Sequence, residues 1–291
     1  MSAIRSRLRE CLHFCLHLRW HYQVLILSGG FLLGGLLSGI HAPADFLYHF
    51  LVIHLLLFGG ATVYNSYWDK DEGPIGGLRK PPPLAAWTRP ASIALQFGGL
   101  FLSLPMGWIY LLFYVMSMLL FWLYSHPVYR WKGHPLLSLI AIGVSTGTNS
   151  LVFGYLAAGS VWDPLILVPA VGVALVMLSL YPVSQIYQRR EDERRGDRTF
   201  AVVFGRRTVY RFFMASYVAG IILVTFGFYM LQPWLAAVFP AVAVVAGSVT
   251  AMFLRSLKGE PSEYRTVMRV KYTMSLMFVL FLLTAMVIHH Y

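Results

Sequence analysis

The stretch Tyr64-Asn65-Ser66-Tyr67-Trp68-Asp69-Lys70-Asp71-Glu72-Gly73-Pro74 sets three carboxylates within four residues, directly after an apolar run long enough to cross a membrane. Carboxylates are hard oxygen ligands of the kind that hold Mg²⁺ while the ion also binds substrate phosphates. Asn65, Asp69 and Glu72 fall at i, i+4 and i+7, so a helix through them points all three the same way. A solvated, charged helix end is the plainer reading of one such cluster. A second cluster, similarly placed later in the chain, weighs against it.

Working outward, the 291 residues are 58% apolar and only 12% charged, whereas a soluble domain carries about 25% charged residues. The chain is read as an integral membrane protein. Nine apolar runs, near 20–40, 44–67, 90–104, 106–124, 135–158, 163–187, 208–231, 233–255 and 267–289, are set against the roughly 20 residues that a spanning helix needs. The third is short. The break at Pro105-Met106-Gly107 is read as a turn, because the combined run of about 35 residues is too long for one span. Ahead of these runs, residues 1–19 oppose Ile4, Leu8, Leu12, Cys15 and Leu16 to Arg5, Arg7, Arg9 and Arg19. That pattern is expected to form an amphipathic helix on the cytoplasmic surface of the bilayer, with residues 20–291 as a single nine-helix transmembrane domain. No small-residue cleavage site follows a short apolar core, so the segment is not read as a secretory signal.

The charges test the count. With the N-terminus inside, all 23 Lys and Arg fall in the inner segments 1–19, 68–89, 125–134, 188–207 and 256–266 or the adjoining first turns; the outer connections carry only Asp45 and Asp163. Such segregation fits nine spans and an outer C-terminus. A bacterial inner or plasma membrane is the expected setting, with the N-terminus and the acidic loops cytoplasmic. The net charge of +11 is then topology, and no nucleic-acid partner is expected. Cys11 and Cys15 beside His13 and His17 imitate a metal site, but two thiols one turn apart have no loop to staple and read better as buried thiols.

The second cluster ends the sixth run: Tyr181-Pro182-Val183-Ser184-Gln185-Ile186-Tyr187-Gln188-Arg189-Arg190-Glu191-Asp192-Glu193-Arg194-Arg195-Gly196-Asp197-Arg198-Thr199. Gln185, Gln188 and Asp192 lie at i, i+3 and i+7 and share a helical face. Two inward helices ending in oxygen ligands can hold Mg²⁺ between them, a diphosphate can bridge the ions, and loop Arg and Lys can complete the clamp.

With these residues in place, the chain resembles the UbiA superfamily of intramembrane prenyltransferases over essentially its full length. The resemblance rests on the first cluster, on Gly196-x-Arg198-Thr199 running to Gly205, and on Tyr124-Ser125-His126-Pro127 with Arg130 and Lys132. It implies nine helices around a lipid-open cavity, Mg²⁺, and transfer of a prenyl group from an allylic prenyl diphosphate to a lipophilic acceptor, such as an aromatic quinone precursor. Some members cyclise the prenyl chain instead, and that stands as the alternative activity. Asn65, Asp69 and Asp192 match the family's metal-binding positions, with Asp71, Glu72 and Gln188 as further candidate ligands. Asp69, Asp192, Lys132 and Arg198 are the expected catalytic set; Arg79, Arg130, Gln185 and Gln188 are expected at the substrate. Ser66, Gly73, Gln185 and Gln188 depart from the family's usual Asp.

Deeper in the bilayer, His54 lies eleven residues before Asn65, about 16 Å along a helix, and is a candidate acceptor contact, as is Asn149; a structural hydrogen bond is the alternative for each. The rings of Tyr124 and Tyr181 are candidates to face an allylic cation, against the interfacial role common to membrane aromatics. A transporter would place ionisable groups near the bilayer midplane. None of the Asp, Glu, Lys or Arg residues is central here.

Overall fold

The computed structural model describes residues 2–290. Among them every long element is a helix. Helix α1, Ser2–Leu18, ends where Arg19 takes a left-handed conformation (φ 50°) and turns the chain into α2, residues 20–38. Then come α3 (Pro43–Asp69), α4 (Thr88–Leu102), α5 (Trp108–Ser125), α6 (Pro135–Ala157), α7 (Pro164–Ile186), the short α8 (Arg189–Arg195), α9 (Phe200–Leu231), α10 (Pro233–Ser256) and α11 (Tyr264–His290). Eight runs among the described residues are long and apolar enough to cross a membrane. The 15-residue α4 is the short ninth, joined to α5 by a 3-10 turn at Leu104–Met106 and by Gly107 at φ 81°.

Backbone chemistry sets the helix ends. Gly39, at φ 78°, closes α2 with its N–H on Leu36 O, a glycine C-cap. Asp163 accepts the N–H of Leu165 and starts α7, as an N-cap acid does. Inside α9, Gly205 leaves helical geometry (φ 71°, ψ 172°), a conformation open to glycine and strained for other residues. The first turn of α9 is thereby set apart from the spanning part that follows.

Close approach requires small residues. A Cβ on Gly34 would fall on Leu151 O, and one on Gly154 would fall on Phe31 O, so α2 and α6 touch backbone to backbone, as small residues permit between membrane helices. Three apolar clusters fill the bundle. One joins α2, α3, α5 and α6 through Phe31, Ile53, Phe58, Tyr110 and Phe153. A second joins α2, α7, α9, α10 and α11 through Leu36, Ala170, Phe228, Phe239 and Leu282. The third lies at the motif-bearing end and includes Val183, Tyr187, Phe213, Leu254 and Tyr264.

Intramembrane polar groups find partners across these interfaces or on their own helix. Asn149 donates to Ser117 Oγ (2.8 Å) and Phe113 O (3.2 Å), tying α6 to α5. His54 donates Nδ1–H to Phe50 O (2.7 Å) and stacks on the Phe50 ring. Neither lines the cavity described below; both hold structural hydrogen bonds where the sequence offered an acceptor contact. Cys11 and Cys15 are free and exposed, not buried, because the buried face of α1 runs through His17 and Leu18.

Candidate functional site

The last turn of α3 brings Asn65 and Asp69 to one end of a cavity of about 370 Å³. Lys132, in the connection between α5 and α6, places Nζ 2.5 Å from Asp69 Oδ1. Arg130 Nη1 lies 3.9 Å from the same carboxylate. Arg130 is itself fixed by two hydrogen bonds to Asp197, 2.6 and 2.8 Å long, the bidentate geometry at which guanidinium excels. Asn65 donates to Ser125 Oγ (3.2 Å).

From the opposite side, the end of α7 and the short α8 supply Gln185, Gln188 and Asp192, all on the cavity wall. Gln185 Oε1 accepts the N–H of Ala201 (3.2 Å), and Gln188 donates to Pro74 O (3.1 Å). Asp192 accepts from Thr199 Oγ1 (3.1 Å). Burial lifts the Asp192 carboxyl to about 7, helped by Asp197 and Glu191 and opposed by the Thr199 hydrogen bond and Lys132. Tyr124 and Tyr181 meet hydroxyl to hydroxyl at 2.9 Å, and both line the cavity.

The helix-face argument holds for Asn65 and Asp69 and fails for Glu72. Helix α3 stops at Asp69, where Lys70 adopts φ 49°, so the periodicity does not reach position 72. Glu72 is exposed and off the cavity wall. Asp71 does line the cavity and is paired with Arg195 at 2.7 Å. Arg79 and Arg198 are exposed and outside the lining. In the Gly196–Thr199 tail it is Asp197 and Thr199 that turn inward, while Arg198 contributes its backbone N–H to Gly133 O.

The departures from the Asp pattern have local partners. Ser66 Oγ accepts from Arg19 Nη2 (3.2 Å). A Cβ at Gly73 would lie 2.7 Å from Glu191 Oε2, so a side chain there displaces the end of a flexible glutamate that is bound to Arg195 at 2.7 Å.

Two cations on the wall escaped the sequence reading. Arg19, 7% exposed, donates to Gly76 O, Thr62 O and Ser66 Oγ; its Nε has no hydrogen-bond partner. Among the described residues no carboxylate lies within ion-pair distance of it. Lys271 of α11 reaches Tyr22 OH at 3.4 Å. Amphipathic patterning assigned Arg19 to a solvated face, and only the turn at its own backbone carries it inward. Lys271 had a signal: it is a charge inside the last apolar run.

Beyond this polar end the cavity continues as an apolar arm walled by Val173, Met177, Val224, Phe239, Phe278 and Phe281. From Lys271 to Phe281 along α11 is about 15 Å.

Mg²⁺ can be tested against these donors. Asp69, Asp71, Asp192, Asn65 and Gln188 all line one cavity, and each carries a side-chain oxygen. Among the described residues no three carboxylate, His or Cys groups sit close enough to cage an ion. That combination fits Mg²⁺, which keeps waters and takes one or two carboxylates together with substrate phosphate oxygens.

The model of the UbiA prenyltransferase family matches residues 27–282. A digeranylgeranylglyceryl phosphate synthase of Methanospirillum hungatei is 24% identical over 255 residues, 79% of this chain and 83% of that protein. A protein of the same name from Sulfolobus acidocaldarius is 28% identical over 181 residues, 60% of this chain and 62% of the other. A UbiA homolog from Archaeoglobus fulgidus, solved with GPP and Mg²⁺, superposes with a TM-score of 0.73 at 14% identity, covering 94% of this chain and 99% of its own. At that identity the likeness is one of fold.

Proposed function

Because the chain belongs to the UbiA prenyltransferase family and is a prenyltransferase of that type, we propose that it moves a prenyl group from an allylic prenyl diphosphate to a lipophilic acceptor, with Mg²⁺, at the polar end of this cavity. The observation that carries the reading is the meeting of Asp69 and Asp192, from two separate helix ends, with Lys132 at the head of an apolar arm. A diphosphate headed by a hydrocarbon tail has that same division.

Asp69 and Asp192, with Asn65, Gln188 and Asp71, would hold the metal. Bound there, Mg²⁺ supplies positive charge to the diphosphate oxygens and so improves the leaving group. Lys132 pairs with Asp69, and its ammonium lines the polar end where the diphosphate would lie. Arg130, outside the cavity lining and clamped by Asp197, holds its Nη1 3.9 Å from Asp69 and would steady that carboxylate from behind. The bond between prenyl C1 and its oxygen breaks, with both electrons leaving on the diphosphate. An electron-rich atom of the acceptor then supplies the pair for the new bond and loses a proton. The apolar arm keeps the tail extended and water away from the cation, and the rings of Tyr124 and Tyr181 stand where the polar end meets it.

Arg19 and Lys271 bear on the acceptor. A buried guanidinium with an unpaired Nε, on the same cavity wall as a lysine of the last helix, suits an acidic group on an otherwise apolar molecule. The name of the two archaeal relatives, a glyceryl phosphate synthase, agrees with an acidic acceptor. In this reading the polar end and the N-terminus face the cytoplasm, as the basic connections demand.

The test is incubation of the purified protein in detergent with Mg²⁺ and allylic diphosphates of several lengths, with and without membrane lipid extract. A prenylated lipid that forms only with extract, and not with Asp69→Ala, supports transfer. Cyclic terpenes formed without an acceptor would replace transfer by cyclisation, and diphosphate left intact throughout would overturn the assignment.

A further inference from the structure

Helix α1, through His13 and His17, and the start of α2, through His21, are joined to the connection 70–87 by a ladder of histidines. His13, His17 and His21 stand four residues apart. Nδ1 of His13 donates to Pro83 O (3.0 Å), Nε2 of His17 to Pro82 O (2.8 Å) and Nε2 of His21 to Gly77 O (3.1 Å). A carbonyl only accepts, so each of these ring nitrogens carries a proton. Trp87 closes the far end, its indole N–H on Glu10 Oε2 (2.9 Å) and its ring 5.3 Å from that of Phe14.

The connection has little internal structure to hold it. Pro81-Pro82-Pro83 lacks backbone N–H groups, and among the described residues its one ladder is the bridge between Ile75 and Leu78. Yet Ile75 and Gly76 line the cavity. The connection is a strap across the polar end: Gln188, Tyr264 and Arg19 hold its cavity-lining part at Pro74 O, Ile75 O and Gly76 O, and α1 holds its far end at Pro82, Pro83 and Trp87.

The other face of α1 is apolar and bare. Ile4, Leu8, Leu12 and Leu16, one turn apart, are 74%, 65%, 58% and 51% exposed, and the exposed Arg5, Arg7 and Arg9 lie among them. Leucines on one face with arginines at its edges complement an anionic lipid surface: the apolar chains enter the acyl boundary and the guanidinium groups meet headgroup phosphates.

We propose that α1 docks on an anionic leaflet and that the histidine ladder passes this docking to the strap, so that headgroup charge controls how firmly the cavity mouth is closed. Control of turnover rests on the transferase reading. The docking and the strap's position do not, and they are measured without substrate.

The test is hydrogen–deuterium exchange on the full chain in vesicles of phosphatidylcholine alone or in an equal mixture with phosphatidylglycerol. Amides of α1 and of the strap should both exchange more slowly in the mixture, by roughly fivefold for each arginine engaged at low salt. Arg5→Gln with Arg9→Gln, or Leu8→Asp with Leu12→Asp, alters only exposed positions and should erase the difference between lipids. His17→Ala should leave α1 responsive to lipid charge while strap exchange rises about fivefold, the factor for one lost hydrogen bond, and stops responding. The half-buried His13→Ala provides the same comparison at a site where folding is less at risk. Equal strap exchange in both lipids, or a strap that still follows lipid charge in both histidine variants, would overturn the coupling. Protection of α1 that follows protein density and not lipid charge would show that a second copy covers the stripe, and would overturn the docking.

Discussion

The Asp192 carboxyl links metal binding to pH in a way that can be worked out in advance. Burial raises it to about 7, and Mg²⁺ binds the carboxylate, not the acid. Protons therefore compete with the metal below pH 7 and not above it. At pH 6 about a tenth of the carboxyls are ionised and at pH 8 about nine tenths, so Mg²⁺ affinity should rise about tenfold between them, or about 1.4 kcal/mol. Titration calorimetry in nanodiscs, with a non-hydrolysable prenyl diphosphate analogue held constant, reads this directly. Asp192→Asn should lower affinity and flatten the pH curve. Thr199→Val removes the hydrogen bond that holds the carboxylate down and should move the midpoint up by about one pH unit, because a bond to a charged group contributes about 1.5 kcal/mol or more. Affinity independent of pH between 6 and 8 would refute the reasoning. So would a slope that survives in Asp192→Asn, since some other group would then be titrating.

Lys132→Met should reduce kcat by roughly a hundredfold or more, the scale for removing a charge-stabilising donor, with the helical circular-dichroism signal retained. Arg19→Gln and Lys271→Met should raise KM for an acidic acceptor while leaving KM for the prenyl diphosphate near its original value; equal effects on both substrates would place these cations elsewhere in the reaction. Gly154→Val puts a side chain onto Phe31 O and should lower stability by about 1–3 kcal/mol through overpacking, seen as a lower thermal midpoint in detergent. Gly73→Asp, which restores the family's usual acid, meets only the flexible end of Glu191 and should leave activity near its original value; a large loss that Glu191→Ala recovers would show that Arg195 holds Glu191 rigidly.

Much of this protein was written in its sequence, because the bilayer leaves a chain few choices. Backbone groups must be paired within the apolar layer, so each long apolar run has to be a helix, and run length alone located the helices, including the short one at Thr88–Leu102. Local periodicity likewise put Asn65 and Asp69 on one face, since both lie inside α3. It failed at Glu72, where a single left-handed residue, Lys70, ended the helix. It also missed Arg19, which an equally local turn carried from the solvated side of α1 to the cavity wall. Which polar groups face the cavity was decided by tertiary packing. Asn149 and His54 found partners in neighbouring backbone, because an unpaired polar group inside a bundle is costly wherever it falls. Spacing along the chain determines which side chains share a helix face; the direction that face looks is fixed only when the other helices close around it.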